Sequence, residues 1–142
     1  MPFGNFNATA AVLLAVVSAL LLAAGCGPAG PRRHDVSGEV TFRGRPVPVG
    51  VIRFLPDTQQ GNAGPAGFAA IENGRYDTAA SGRGTVGGPH EVVISGFDGK
   101  ADPAAELMQG APLFPDYRES VELPEAPATL DFQVPAAGGQ PE

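Results

Sequence analysis

The sequence predicts an all-β fold: a single sandwich of seven strands (six to eight), with one short helix. Three observations carry that expectation. Val36–Phe42 and Thr129–Val134 alternate apolar and polar residues with the period of two of a half-buried strand. Twenty glycines and fifteen prolines cluster between short apolar runs, as turns punctuate a β-protein. Asn73-Gly74 stands between two such runs, and both residues tolerate the positive φ of a tight hairpin. Tryptophan is absent and the aromatics are mainly Phe, so a small aliphatic core is expected.

In chain order, Val36–Phe42 is the first expected strand, with Val36, Val40 and Phe42 on one face. Arg43-Gly44-Arg45-Pro46 turns the chain, Gly44 supplying positive φ and Pro46 fixing the exit. Val51–Leu55 is a second strand, stopped by Pro56. Asp57–Gly67 holds no apolar residue larger than Ala and reads as an exposed loop. Phe68–Ile71 and Tyr76–Thr78 form the hairpin around Asn73-Gly74, and His90–Ile94 follows a glycine-rich link. Asp102, Pro103 and Gly110 supply the cap, first position and stop of a helix over Ala104–Gln109, the one helix expected. Ser120–Leu123 is a weaker strand expected to pair with Thr129–Val134, whose Leu130, Phe132 and Val134 face inward. Between the strands runs one long connection, Gly96–Pro115.

The N-terminal segment addresses the chain. Ala10–Ala24 is apolar apart from Ser18, long for a signal-peptide core and short for a membrane span of about 20 residues. Small residues at Ala23, Ala24 and Gly25 precede Cys26, the only cysteine, which therefore has no internal disulfide partner. This reads as a lipoprotein signal peptide over 1–25, cleaved between Gly25 and Cys26, with Cys26 acylated and carrying enough fatty chains for stable anchoring. Plain secretion with cleavage elsewhere, and an uncleaved anchor, are the alternatives. The remaining chain divides into a flexible tether over 26–35, a folded domain over 36–134 and a disordered tail over 135–142. The expected location is the cell envelope, facing an extracytoplasmic compartment. The outer membrane is favoured slightly, because Gly27 is not the Asp that retains many lipoproteins in the inner membrane.

The order of Val36-Ser37-Gly38-Glu39-Val40-Thr41-Phe42, Gly44-Arg45-Pro46-Val47 and Gly50-Val51-Ile52-Arg53-Phe54 resembles the opening of carboxypeptidase regulatory-like domains. Asn73-Gly74-Arg75-Tyr76 and Gly88-Pro89-His90-Glu91-Val92-Val93-Ile94 are similar to their next hairpin and strand. Leu113–Ser120 resembles a segment found before the last strands of small lipoproteins of planctomycete-type bacteria. The resemblance covers Val36–Val134 and implies a transthyretin-like, broadly immunoglobulin-like sandwich. It also implies an accessory module with no agreed active-site residues. Phe97–Pro115 is longer than the connection in simpler members.

The chemistry-bearing residues are few. His34 falls in the tether and His90 at a strand start, where a sheet-edge or loop-facing side chain is expected. Neither has a partner at zinc-ligand spacing, so no metal and no cofactor are expected. Ser81–Gly88 is glycine-rich but lacks the Lys and following Ser/Thr of a phosphate loop. Asp98 and Asp102 offer two carboxylates, with Lys100 between them, where calcium wants six or more oxygens. Tyr117-Arg118-Glu119-Ser120 resembles the Tyr-Arg-Gly-Ser tetrapeptide that ends transthyretin-like hydrolases. Its third residue differs, the chain continues beyond it, and the paired His and Arg of those enzymes have no counterpart. Tyr117 is expected to pack with its hydroxyl on backbone, and Arg118 and Glu119 to face solvent. A net charge of −6 without a basic run excludes nucleic acid as partner. Eight arginines against one lysine suit pairing with the fifteen acidic residues. The expected function is a non-catalytic, lipid-anchored structural or protein-interaction module of the envelope, its partner a protein or an envelope polymer. The alternatives are carbohydrate binding and, third, hydrolysis of the transthyretin-like type.

Overall fold

A computed structural model of the chain describes residues 30–136. Gly25, Cys26, the signal helix expected over 1–25 and most of the expected C-terminal tail lie outside the described residues. Among the described residues ten strands and one short α-helix succeed one another. They are β1 (Val36–Phe42), β2 (Arg45–Pro46), β3 (Val49–Pro56), β4 (Gly67–Glu72), β5 (Arg75–Asp77), α1 (Thr78–Ser81), β6 (Gly82–Arg83), β7 (Gly88–Phe97), β8 (Tyr117–Leu123), β9 (Ala128–Thr129) and β10 (Phe132–Val134). The main path runs β10-β1-β5-β4-β3-β7-β8, seven strands in a curled sheet that closes over one core as a sandwich-like all-β fold. The short strands β2 and β9 attach to β1, and β6 to β4.

The core is aliphatic, with few rings: Val36, Val40, Val47, Ile52, Phe54, Ile71, Val92 and Ile94 are at most 1% exposed, with Tyr76, Leu123, Phe132 and Val134 beside them. Period-2 alternation explains its membership, since one face of each strand feeds it. Leu130 is partly buried and packs against the same cluster.

Both expected turns form. Arg43-Gly44 (φ 52° and 71°) joins β1 to β2, and Asn73-Gly74 (φ 51° and 78°) joins β4 to β5. Two consecutive positive φ values match the twist of a two-residue hairpin. The turns also meet. Gly74 donates to Val47 O (2.7 Å), Asn73 to Pro48 O (2.8 Å), and Val40 to Gly74 O (2.7 Å). A Cβ on Gly74 would run into Pro46, so Gly74 serves close approach as well as φ.

Four expectations change. Thr129–Val134 is two strands, β9 and β10, both parallel to β1 in one register. The ladder breaks at Leu130 and Asp131. There the Leu130 carbonyl turns over Gly38 to accept from Tyr76 Oη (2.7 Å), and Asp131 Oδ1 accepts the Glu39 N–H instead (2.8 Å). Ser120–Leu123 lengthens to β8 and pairs with β7, not with the C-terminal strand. The helix expected over Ala104–Gln109 is one 3-10 turn, Pro103–Ala105. Asp102 caps it as expected, but Glu106 ends it at φ 60°. With no apolar stripe to dock, two helical turns lose to a local reciprocal pairing of Asp102 with Leu107. The only described α-helix is instead α1, capped by Asp77. Its buried Thr78 takes the Val36 N–H on Oγ1 (2.9 Å). Finally, the end of the expected tether is docked: His34 exchanges both backbone bonds with Thr85, and Arg33 Nη1 donates to Gly84 O (2.9 Å). Among the described residues no helix is long and apolar enough to cross a membrane.

Candidate functional site

Candidate chemistry sorts by where the fold leaves each group. His90 lies on the core-facing side of β7 and is 1% exposed, not at an edge. Its register places it opposite Pro56 of β3 and Val121 of β8. Asn62 Nδ2 spends its two hydrogens on Gly87 O (2.9 Å) and Pro89 O (2.8 Å). The network therefore assigns the proton to His90 Nδ1, which donates to Gly88 O (2.9 Å). Nε2 is left facing the interior without a partner, as is Thr85 Oγ1. Asn62 thereby ties its loop to the start of β7, over the enclosed imidazole. The loop over 57–67 is thus pinned, and Asp57 caps its 3-10 turn Thr58–Gln60. The bond from the Gln60 side chain, with those from the Gln59 and Gln60 amides, holds the Asp57 carboxyl below its ordinary value.

The tetrapeptide Tyr117–Ser120 lies within β8. Tyr117 Oη donates to Glu119 Oε2 (3.0 Å), not to backbone, and burial together with that carboxylate raises its pKa. The backbone-bonded tyrosine is Tyr76, whose hydroxyl is pushed well above the tyrosine range, mainly by burial and secondarily by the Asp131 charge. Among the described residues three arginines form ion pairs: Arg53 with Asp116 (3.4 Å), Arg75 with Glu39 (3.1 Å) and Arg118 with Glu91 (2.8 Å). Arg53 and Arg118 flank Val93, which is 1% exposed on the outer face of the sheet. Their stems cover apolar surface that the alternation alone would leave wet.

A shallow groove of about 800 Å³ crosses the outer face of β1, β4 and β5, with Ala80 and Ser81 of α1 at its edge. Glu39, Glu72, Arg75, Asp77 and Asp131 give it its charge. Arg75 is 79% exposed, so its pair with Glu39 is weak. Ser81 at its edge donates to the Asp77 backbone carbonyl (3.2 Å).

The expected long connection is an ordered arm. Its two limbs pair irregularly beyond β7 and β8 through Leu113 N to Gly96 O (2.9 Å), Asp98 N to Ala111 O (3.0 Å), Gly99 N to Gln109 O (3.0 Å) and the reciprocal Asp102–Leu107 bonds (2.9 Å each). Asp98 Oδ1 accepts from Lys100 N (2.9 Å) and Ala111 N (3.0 Å), and Asp102 Oδ1 from Ala104 N (3.1 Å). Both carboxylates thus brace the arm. Among the described residues no three His, Cys, Asp or Glu side chains gather as metal ligands would. Phe114 seats the base of the arm against Phe42, ring centroids 4.9 Å apart. The tip carries Leu107 and Met108, 37% and 73% exposed. The glycines and prolines of 96–115 announce a loop, but the pairing of its limbs and the apolar tip have no periodic signal. Comparison with protein-family models, curated proteins and solved structures finds no match for the chain.

Proposed function

We propose that the chain is a lipid-anchored β-sandwich module of the cell envelope with a non-catalytic, protein-interaction role, and that the arm over 97–115 is its contact element. The carrying observation is the arm itself: a braced backbone presenting two apolar side chains to solvent at its end. An ordered tip loses little entropy on binding, and an exposed Leu-Met pair recovers apolar burial there. The apolar leader ending at Cys26 supports the envelope address, and the resemblance of Val36–Val134 to carboxypeptidase regulatory-like domains supports an accessory role. The carbohydrate reading is the weaker one, because Tyr76 is buried and Tyr117 spends its hydroxyl on Glu119. A photo-crosslinking residue at Met108, in the full chain expressed in its native membranes, is expected to trap one defined protein that the same residue at Thr58 does not. Leu107→Asp is expected to abolish that adduct without lowering the melting temperature. Equal trapping at both positions, or an adduct indifferent to Leu107→Asp, refutes the arm as contact element. Mass spectrometry of the native N-terminus tests the address separately; an unmodified thiol at Cys26 refutes the anchor.

A further inference from the structure

The sheet path ends at β8, and among the described residues no strand pairs with its outer edge. Backbone parity fixes which groups that edge presents. Asp57 N donates to Pro89 O on the β3 side of β7, whereas Leu113 N donates to Gly96 O on the β8 side. Even-numbered β7 residues therefore turn their backbone to β8, where His90, Val92 and Ile94 oppose Val121, Glu119 and Tyr117. Those β8 residues spend their N–H and C=O groups on β7. Arg118, Ser120 and Glu122 turn theirs outward, and all three side chains are exposed.

An unpaired strand of seven residues is a template for another strand, and this one is complementary to itself. An antiparallel copy pivoting on Ser120 sets Arg118 opposite Glu122 twice, Ser120 opposite Ser120, and Tyr117 opposite Leu123 twice. The outward groups of the two strands then face each other in register. A pivot at Glu119 would oppose Glu119 with itself, and a pivot at Val121 would set Glu122 against Ser120 and Glu119 against Leu123. A parallel, in-register copy would align like charges along the whole strand. Charges that repel two of these arrangements, go unpaired in the third and fit the fourth confer specificity as well as protection of the edge. Arg118 already holds Glu91 at 2.8 Å, and the five N–H donors of a guanidinium leave others for Glu122 of the second copy. We infer that two copies of this chain associate edge to edge through antiparallel pairing of Tyr117–Leu123 about a two-fold axis at Ser120.

The experiment uses the full chain in detergent, with Cys26→Ser so that an introduced cysteine is the sole thiol. Sedimentation equilibrium is expected to give a dimer. Mild oxidation is expected to convert Ser120→Cys to a disulfide dimer, since facing residues of a hydrogen-bonded antiparallel pair stand about 5.5 Å apart at Cα, within disulfide reach. Glu122→Cys is expected to stay unlinked, its two copies lying about 13 Å apart along the strands. Glu122→Arg, which disturbs no ion pair within the chain, is expected to raise the dissociation constant about tenfold. Mixing it with Arg118→Glu is expected to restore association as a heterodimer. A monomer at every concentration, equal crosslinking from positions 120 and 122, or a dimer indifferent to Glu122→Arg overturns the inference.

Discussion

Gly38→Ala tests how the C-terminal strands lock onto β1. A Cβ at Gly38 would press on the Leu130 carbonyl oxygen, with Leu130 C at 2.7 Å and Asp131 Oδ1 at 3.0 Å. Ordinary contact needs the carbonyl to retreat by about 1 Å or more, which a packed strand resists. That movement strikes the Tyr76 Oη to Leu130 O bond (2.7 Å) and the Glu39 N to Asp131 Oδ1 bond (2.8 Å) together. The neutral bond contributes about 1 kcal/mol and the charge-assisted one about 1.5, with overpacking adding about 1 more. The expected loss of about 3.5 kcal/mol is a large part of the roughly 5–15 kcal/mol typical of a domain. For a domain of this size it corresponds to a fall of roughly 15 °C in Tm. The assays are calorimetry and urea unfolding, in which the midpoint is expected to fall at constant slope. A Tm within about 2 °C of wild type would mean that Leu130 and Asp131 can leave β1 without cost, and the reasoning about this ladder break would fail.

Gly44→Val and Gly74→Val are both expected to destabilise, but unequally. The first costs about 1–2 kcal/mol for a positive φ in open space, and the second about 3 or more because Pro46 blocks the new Cβ; equal melting temperatures would refute the ranking. Tyr76 has its folded pKa raised above the unfolded value of about 10, so its contribution is complete below that pH and is lost as pH climbs through the folded value. Tyrosinate absorbance of Tyr76 is therefore expected only together with alkaline unfolding, and ionisation of both tyrosines in the folded state near pH 10 would contradict this. His90→Ala is expected to cost about 2–4 kcal/mol through the cavity and the lost bond to Gly88 O, measured by urea unfolding. Retained stability would mean that the ring is not part of the core.

What the chain encodes locally was legible. Positive φ at Gly44, Asn73 and Gly74 follows from residue chemistry at adjacent positions, and the inward set Val36, Val40, Phe132 and Val134 follows from alternation within single strands. The same local rules pass over Arg43, which takes φ 52° because the two-residue hairpin between Phe42 and Arg45 demands it. They also placed a helix at Ala104–Gln109, where cap, proline and stop are all present but no surface exists for it to bury.

Pairing was the part that needed three dimensions. Whether Ser120–Leu123 joins β7 or the C-terminal strand depends on hydrogen-bond partners far apart in sequence, and alternation has the same period for either. Gly38 carried a legible hint, since glycine inside a strand marks close backbone approach, but only the fold says that Leu130 is what approaches. His90 looked like an edge residue and is interior because the Asn62 loop folds over it. Residue type and spacing, in short, set the conformation each segment prefers, whereas burial and partners belong to distances between segments, and those exist only once the sheet has curled.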